Sequence, residues 1–316
     1  MAAISSNNLG APILAGLGES ESASTGTAQH ADPSANADAL DKARRERSQA
    51  LIIPREHGAW GLLLVPMVTA IGVALRESAH IAPALLLLVT ALALFWVRTP
   101  VESLLGTSAL RAQTAYERRA MMHAIAMIGT IVVIAGGSLV WAGRNPNLWP
   151  IGMVAGLAFV LQALLKKQRS TRMLSEIVGT IGLTASAPAA YYVVTGKFGT
   201  VAWMLWLANF IFAGNQIHYV QVRIHTARAR NVHEKFERGW KFAVGQIPMA
   251  ALLVAACALH SLPWLALIAF VPLLLRGWIY FVQKPAPLIV RQLGWSELRQ
   301  AIIFCVLFIA AFAIAR

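Results

Sequence analysis

Long apolar runs recur along the chain from Gly58 to the C-terminus, with short polar stretches between them. Each run is close to the length of about 20 residues that a helix needs to cross a bilayer. We distinguish nine segments, over approximately 58–76, 81–98, 121–142, 148–165, 174–195, 200–222, 241–260, 262–282 and 299–315. The pattern predicts an all-α, polytopic membrane protein with about nine transmembrane helices.

The first 50 residues differ in kind from the rest. They are rich in Ala, Ser, Gly and Asn and hold few large apolar residues. Ordering such a stretch would bury too little surface to offset the entropy lost. We therefore predict a disordered, Ala/Ser-rich cytoplasmic tail over 1–50 and a transmembrane helical domain over 51–316. A translation start assigned too far upstream would account for the tail equally well.

The basic residues alternate between loops. The flank before the first segment and the loops after the second, fourth, sixth and eighth hold most of the lysines and arginines, whereas the other loops hold almost none. By the positive-inside rule, the N-terminus is cytoplasmic, and nine spans place the C-terminus outside. The same rule explains the net charge of +13, so we expect membrane lipids as partners and no nucleic acid.

Familiar catalytic signatures do not occur in the sequence. It contains no phosphate-binding GxxxxGK[ST] loop, no HExxH and no GxSxG, which are motifs of nucleotide, zinc and acyl-transfer chemistry. Cys257 and Cys305 lie far apart within apolar segments and are most simply small buried hydrophobes. We predict no cofactor and no metal site.

Two polar stretches meet the apolar segments at the predicted cytoplasmic surface. The first segment is entered through PREHGAWGLLLVP at 54–66, and the sixth ends in NQIHYVQVR at 215–223. Helical spacing places Asn215 and His218 on one face, and Arg223 on a neighbouring face with Gln216. Polar groups at this depth are expected to face the bundle interior or a water-filled cavity.

These stretches predict one polar pocket at the cytoplasmic mouth of the bundle. Its candidate residues are Glu56, His57, Glu176, Asn215, His218 and Arg223. Glu56 and His57 would handle protons or orient a headgroup, and Arg223 would contact an anion. The alternative is that these side chains only form hydrogen bonds between helices.

Four stretches resemble the YwiC-like family of bacterial integral membrane proteins. They are PREHGAWGLLLVP, SEIVGTIGLTASAPAAYYVVTG at 175–196, NQIHYVQVRIH at 215–225 and QLGWSELRQAI at 292–302. The resemblance implies a topology and a location, a multi-pass protein of the bacterial inner (plasma) membrane. It does not imply a reaction.

The chain is also similar, more weakly, to the UbiA superfamily of intramembrane prenyltransferases, which have nine helices and functional loops after helices two and six. Long polar loops occur here in the same places, over 98–120 and 223–241. In the superfamily these loops carry aspartate-rich motifs that bind Mg²⁺ and an isoprenoid diphosphate. This chain has only Glu102 and Glu117 in the first loop and no aspartate in the second. The likeness therefore implies a UbiA-like bundle without that Mg²⁺ chemistry.

Three functions follow as hypotheses. The first is binding or modification of a lipid, an isoprenoid or another small hydrophobic ligand in a cavity open to the cytoplasmic leaflet. The second is transport of a small solute or ion along the same residues. The third is a membrane scaffold whose loops bind another protein. The sequence leaves open whether the protein is an enzyme.

Overall fold

The fold is helical throughout the part of the chain that can be described. A computed structural model describes residues 42, 45–47, 49–53, 57–78, 80–106, 108, 110–143, 146–166 and 171–315, with only the backbone at 57–59, 142–143 and 172. The helices are α1 (His57–Ala74), α2 (Ala82–Leu104), α3 (Ala115–Gly143), α4 (Leu148–Leu165), α5 (Arg172–Thr184), α6 (Ser186–Thr195), α7 (Thr200–His225), α8 (Val232–Ala258), α9 (Leu267–Val282) and α10 (Val290–Ile314). These residues contain no strand, which confirms the all-α prediction.

Seven helices of the described residues are long and apolar enough to cross a membrane. They are α2, α3, α4, the α5–α6 pair, α8, α9 and α10. The apolar part of α1, Trp60–Ala74, is shorter, and α7 carries Asn209, Asn215 and Gln216 among its apolar residues. A multi-helix membrane protein is thus confirmed, whereas the count of nine spans stays a prediction.

The predicted fifth segment is interrupted at Ala185, between α5 and α6. Pro188 has no N–H to donate to the carbonyl of Thr184, so the helical ladder cannot continue unbroken. The Ser186 hydroxyl donates to the carbonyl of Leu183 at 2.8 Å and to that of Leu63 in α1 at 3.2 Å. Since α6 is buried along nearly its whole length, this break lies in the centre of the bundle.

The main core lies around α6 and joins α1, α7, α8, α9 and α10. Phe212 of α7 stacks on Phe304 of α10, with ring centroids 4.0 Å apart, and Phe304 meets Phe270 of α9 at 5.2 Å. Buried alanines on α6 and α7 let the backbones approach closely, as small residues do in membrane bundles.

Side-chain contacts identify which helix ends lie together. Lys166, after α4, is 3.4 Å from Glu102 near the end of α2, and Gln221 near the end of α7 donates to Glu176 near the start of α5. We call this the basic end, because the arginine-rich loops belong to it. At the opposite end, Lys197 pairs with Glu77 at 2.7 Å. The direction of the bundle across a membrane stays a prediction.

The two long polar loops are shorter in the structure than in the sequence prediction, because the helices extend into them. Glu117 and Thr114 form a reciprocal capping box at the start of α3: the Thr114 hydroxyl accepts from the Glu117 N–H at 3.1 Å, and the Glu117 carboxylate accepts from the Thr114 N–H at 3.2 Å. Asn231 caps α8 by accepting from the N–H of Glu234 at 2.8 Å. Such caps satisfy donors that a helix start leaves free.

Most of the predicted N-terminal tail lies outside the described residues, and its disorder stays a prediction there. The described positions near its end, 45–47 and 49–52, are helical. The Arg47 side chain donates to Glu117 at 2.6 Å, and Trp96 donates to the carbonyl of Ile52 at 3.1 Å. The chain entering the bundle is therefore attached to α2 and α3.

Candidate functional site

Four of the six predicted pocket residues can be placed. Glu56 and the side chain of His57 lie outside the described residues. Glu176 is on α5, and Asn215, His218 and Arg223 are on α7. The surroundings of these four residues differ, because they lie on different sides of α7.

Glu176 contacts the side of α7 that faces α5. Its carboxylate accepts a hydrogen bond from the side chain of Gln221. Residues two apart on a helix point about 200° apart, so Gln221 and Arg223 lie on opposite sides of α7. The structure therefore separates Glu176 from Arg223 by the body of this helix.

Asn215 and His218 both face α8. The Asn215 amide donates to Gln246 Oε1 at 2.8 Å and lies 3.3 Å from the Met249 sulfur. The His218 ring meets Phe242 edge to face, with centroids 5.1 Å apart. These contacts bring the two residues together and include a hydrogen bond between helices.

Arg223 belongs to a different group, which we call the tyrosine–cation cluster. It joins four helices at the basic end and consists of Tyr219, Arg223, Lys235, Arg276, Tyr280 and Glu297. The two tyrosine rings form its centre, with centroids 5.7 Å apart and an edge-to-face arrangement. The sixth pocket candidate thus lies among residues that the sequence prediction did not include.

One half of the cluster is an ion pair deep between α9 and α10. Arg276 Nη1 lies 2.6 Å from Glu297 Oε1, and the two side chains are only 12% and 17% exposed. The Arg276 guanidinium lies over the ring of Tyr219, 3.9 Å from its centroid. The backbone carbonyl of Glu297 accepts from the side chain of Gln216 at 3.1 Å, which ties the pair to α7.

The other half surrounds Tyr280. The Lys235 ammonium lies 3.7 Å from the centre of its ring and the Arg223 guanidinium 4.9 Å from it. The Tyr280 hydroxyl shares a hydrogen bond with the buried hydroxyl of Thr226. Cations over an aromatic face are attracted by the ring quadrupole, more strongly when water is excluded.

The charges of the cluster do not balance. It holds three cations and one carboxylate, and the described residues place no carboxylate within ion-pair distance of Arg223 or Lys235. Three buried polar atoms of the cluster also have no hydrogen-bond partner among the described residues: the donors Arg276 Nε and Arg276 Nη2 and the acceptor Glu297 Oε2. A buried cation without a counter-charge is costly, so this arrangement favours an anion.

The sequence contained a signal for the missed residues. Arg276 is a charged residue inside the apolar segment 262–282, and such a residue is a functional candidate by default. Glu297 lies in the quoted stretch 292–302, and Lys235 was assigned to a loop. Their convergence depends on helix packing.

An apolar groove lies elsewhere on the molecule. It has a volume of about 680 Å³ and is lined by Thr90, Val132, Gly136, Gly137, Val140, Trp141 and Trp149, from α2, α3 and the start of α4. Both tryptophans are exposed. The groove contains none of the predicted pocket residues, and it is separate from the tyrosine–cation cluster.

In the described part of the chain, no three His, Cys, Asp or Glu side chains lie close enough together to hold a metal ion.

The family model described as YwiC-like protein matches residues 53–191. Over these residues, which are a little under half of the chain, the protein resembles the YwiC-like family. The match contains PREHGAWGLLLVP, Glu176 and helices α1–α5 with most of α6, which confirms the predicted resemblance. No curated protein and no solved structure matches the chain. The UbiA likeness of the chain therefore stays a prediction, and the tyrosine–cation cluster lies beyond the residues that match the YwiC-like family.

Proposed function

We propose that the protein binds a lipid or isoprenoid with an anionic head in the bacterial inner membrane, with the head at the basic end. The observation that supports this most directly is the charge imbalance of the tyrosine–cation cluster. Three cations surround two tyrosine rings, and one carboxylate lies among them. An anionic head would supply the missing negative charge.

The surroundings of the cluster suit an amphiphile. Tyrosine and arginine suit the membrane–water interface, since each side chain combines an apolar body with a polar tip. Trp278 and Ile279, which directly precede Tyr280 on α9, are exposed, and α8 exposes Val244 and Ile247 further along its length. An acyl or isoprenoid chain can lie along these side chains while its head contacts Arg223.

The proposed orientation follows from the positive-inside rule. The arginine-rich loops of the basic end belong in the cytoplasm, so the head would lie in the cytoplasmic leaflet. There, anionic lipids are attracted to juxtamembrane basic residues.

The test is mass spectrometry of the lipids that copurify with the protein in mild detergent. The variants are Arg223→Gln and, as a matched control, Arg228→Gln, which removes the same charge from an exposed loop position. We expect an anionic lipid or isoprenoid phosphate to be enriched with the wild type and the control, and to fall about tenfold with Arg223→Gln. His57→Ala and His218→Ala test the predicted pocket in the same way.

Equal lipid content in all of these proteins would contradict lipid binding at the cluster. A transporter or a scaffold would then be the better hypothesis, because neither needs a retained lipid.

A further inference from the structure

The guanidinium of Arg276 forms a hydrogen bond through one of its three nitrogens, and its other two nitrogens form none among the described residues. Its Nη1 donates to Glu297 Oε1 at 2.6 Å. Its Nε and Nη2 are buried and have no hydrogen-bond partner among the described residues. These two nitrogens form the side edge of the guanidinium, whose parallel N–H groups match two oxygens of a phosphate or carboxylate.

The free edge is held in place. The Tyr219 ring lies against the face of the guanidinium at 3.9 Å, and Glu297 fixes the Nη1 end. Rotation towards another acceptor would break both contacts. Such a preorganised fork loses little entropy when it binds.

A second positive charge belongs to the same cluster as this edge. Arg223 is over the ring of Tyr280, and the Tyr280 and Tyr219 rings meet at 5.7 Å. The described residues give Arg223 no ion-pair partner. With Lys235 and Arg276, the cluster carries three positive charges against one negative charge, an excess of two.

We propose that the Nε–Nη2 edge of Arg276 is a phosphate subsite, in which Arg223 neutralises the second charge and Glu297 remains on Nη1. A phosphate monoester carries about −1.5 to −2 charges at neutral pH, which matches the excess better than a carboxylate does. This inference rests on the proposed function and specifies the chemistry of the head. Glu297 sets the affinity, because its negative charge opposes the incoming phosphate.

The experiment uses full-length protein in mild detergent and measures the binding of three probes by calorimetry. The probes are short-chain phosphatidic acid, short-chain phosphatidylcholine and inorganic phosphate. The variants are Arg276→Lys, Glu297→Gln, Arg223→Gln and the control Arg228→Gln. Arg276→Lys keeps the charge but removes the bidentate edge.

We expect phosphatidic acid to bind more tightly than phosphatidylcholine. Its affinity falls about tenfold or more in Arg276→Lys, since hydrogen bonds to charged groups are lost, and it rises severalfold in Glu297→Gln. Arg228→Gln behaves like the wild type. If inorganic phosphate competes with phosphatidic acid, free phosphate is a ligand of the subsite. If it does not compete, the ligand is the phosphate of a lipid headgroup.

The outcomes separate the subsite from the broader proposal. If Arg276→Lys binds phosphatidic acid as tightly as the wild type, while Arg223→Gln loses it, the subsite is overturned and lipid binding stands. If the wild type binds no anionic lipid, both are overturned. If gel filtration shows that Arg276→Lys is not folded, the Glu297→Gln variant provides the test. An affinity of Glu297→Gln for phosphatidic acid equal to that of the wild type overturns the subsite.

Discussion

Lys235 shows how a single buried cation is accommodated at the basic end. Its side chain is 2% exposed, and its ammonium donates to the carbonyl of Tyr280 and, at 2.9 Å, to that of Gln283. Both carbonyls belong to the end of α9, where a helix leaves its last acceptors free. A cation there is also favoured by the helix dipole. Lys235 therefore caps α9 from α8.

We expect Lys235→Met to lower the free energy of unfolding by about 2 kcal/mol, because two buried carbonyls lose their donor. The matched control is Lys241→Met, an exposed lysine on the same helix, which should leave stability unchanged. The measurement is reversible unfolding in detergent. An equal effect of the two substitutions would contradict the capping role.

At the opposite end, Glu77 links α1 to α6 and the loop before α7. It pairs with Lys197 at 2.7 Å and accepts from the Tyr191 hydroxyl at 2.5 Å. The hydrogen bond from Lys197, followed by that from Tyr191, lowers the pKa of Glu77 below its ordinary value of 4.5. A carboxyl whose pKa falls on folding stabilises the folded state above its unfolded pKa. This stability is lost as the pH falls through the lowered value.

We therefore expect Glu77→Gln to lower the melting temperature in detergent at neutral pH. The difference from the wild type should shrink as the pH falls below about 4.5. In a Lys197→Met background the effect of Glu77→Gln should be smaller at every pH. A difference that is independent of pH would show that the carboxylate charge has no part in stability.

Among the helices, α8 and α9 approach each other through two reciprocal glycine contacts. A Cβ on Gly239 of α8 would lie 2.6 Å from the ring of Phe281 on α9, and a Cβ on Gly277 of α9 would lie 2.9 Å from the ring of Phe242 on α8. Each helix thus places an aromatic ring over a glycine of the other. This packing holds Lys235 next to Tyr280.

We expect Gly239→Ala to destabilise the protein by about 1–3 kcal/mol through overpacking. Gly245→Ala on the same helix is the control, because the nearest atom to its Cβ would be 4.0 Å away. That change should be neutral or slightly stabilising, since alanine favours helix. Thermal unfolding of the two variants compares them directly, and equal losses would contradict the tight α8–α9 contact.

The sequence contains recognisable signals for the starts of α3 and α8. The Thr114–Glu117 and Asn231–Glu234 pairs have the spacing of helix caps, and the structure places α3 and α8 directly after Thr114 and Asn231. Apolar runs alone missed these extensions, because the first turns of both helices are polar. The sequence prediction treated 174–195 as one continuous segment, although Pro188 is a residue that interrupts helices. The hydrogen bond from Ser186 to the Leu63 carbonyl depends on packing.

For the whole molecule, the distribution of charge predicts which end faces the cytoplasm. The loop after α7 belongs to the basic end, and Lys197 belongs to the opposite end. We expect Lys197→Cys to react with a membrane-impermeant maleimide in intact cells, and Arg228→Cys only after lysis. Cys257→Ala and Cys305→Ala provide the background for both variants. The reverse labelling pattern would mean that the bundle is inverted.

The sequence by itself determined the class of the molecule, a helical membrane bundle with one arginine-rich end, and its resemblance to the YwiC-like family over residues 53–191. Hydropathy, helix caps and loop charge are local properties, so they can be read without knowing which helices are neighbours. Only the tertiary structure decided that Glu176 and Arg223 lie on opposite sides of α7. It alone brought Arg223, Lys235, Arg276 and Glu297 together around two tyrosines, because that depends on the rotation and packing of four helices.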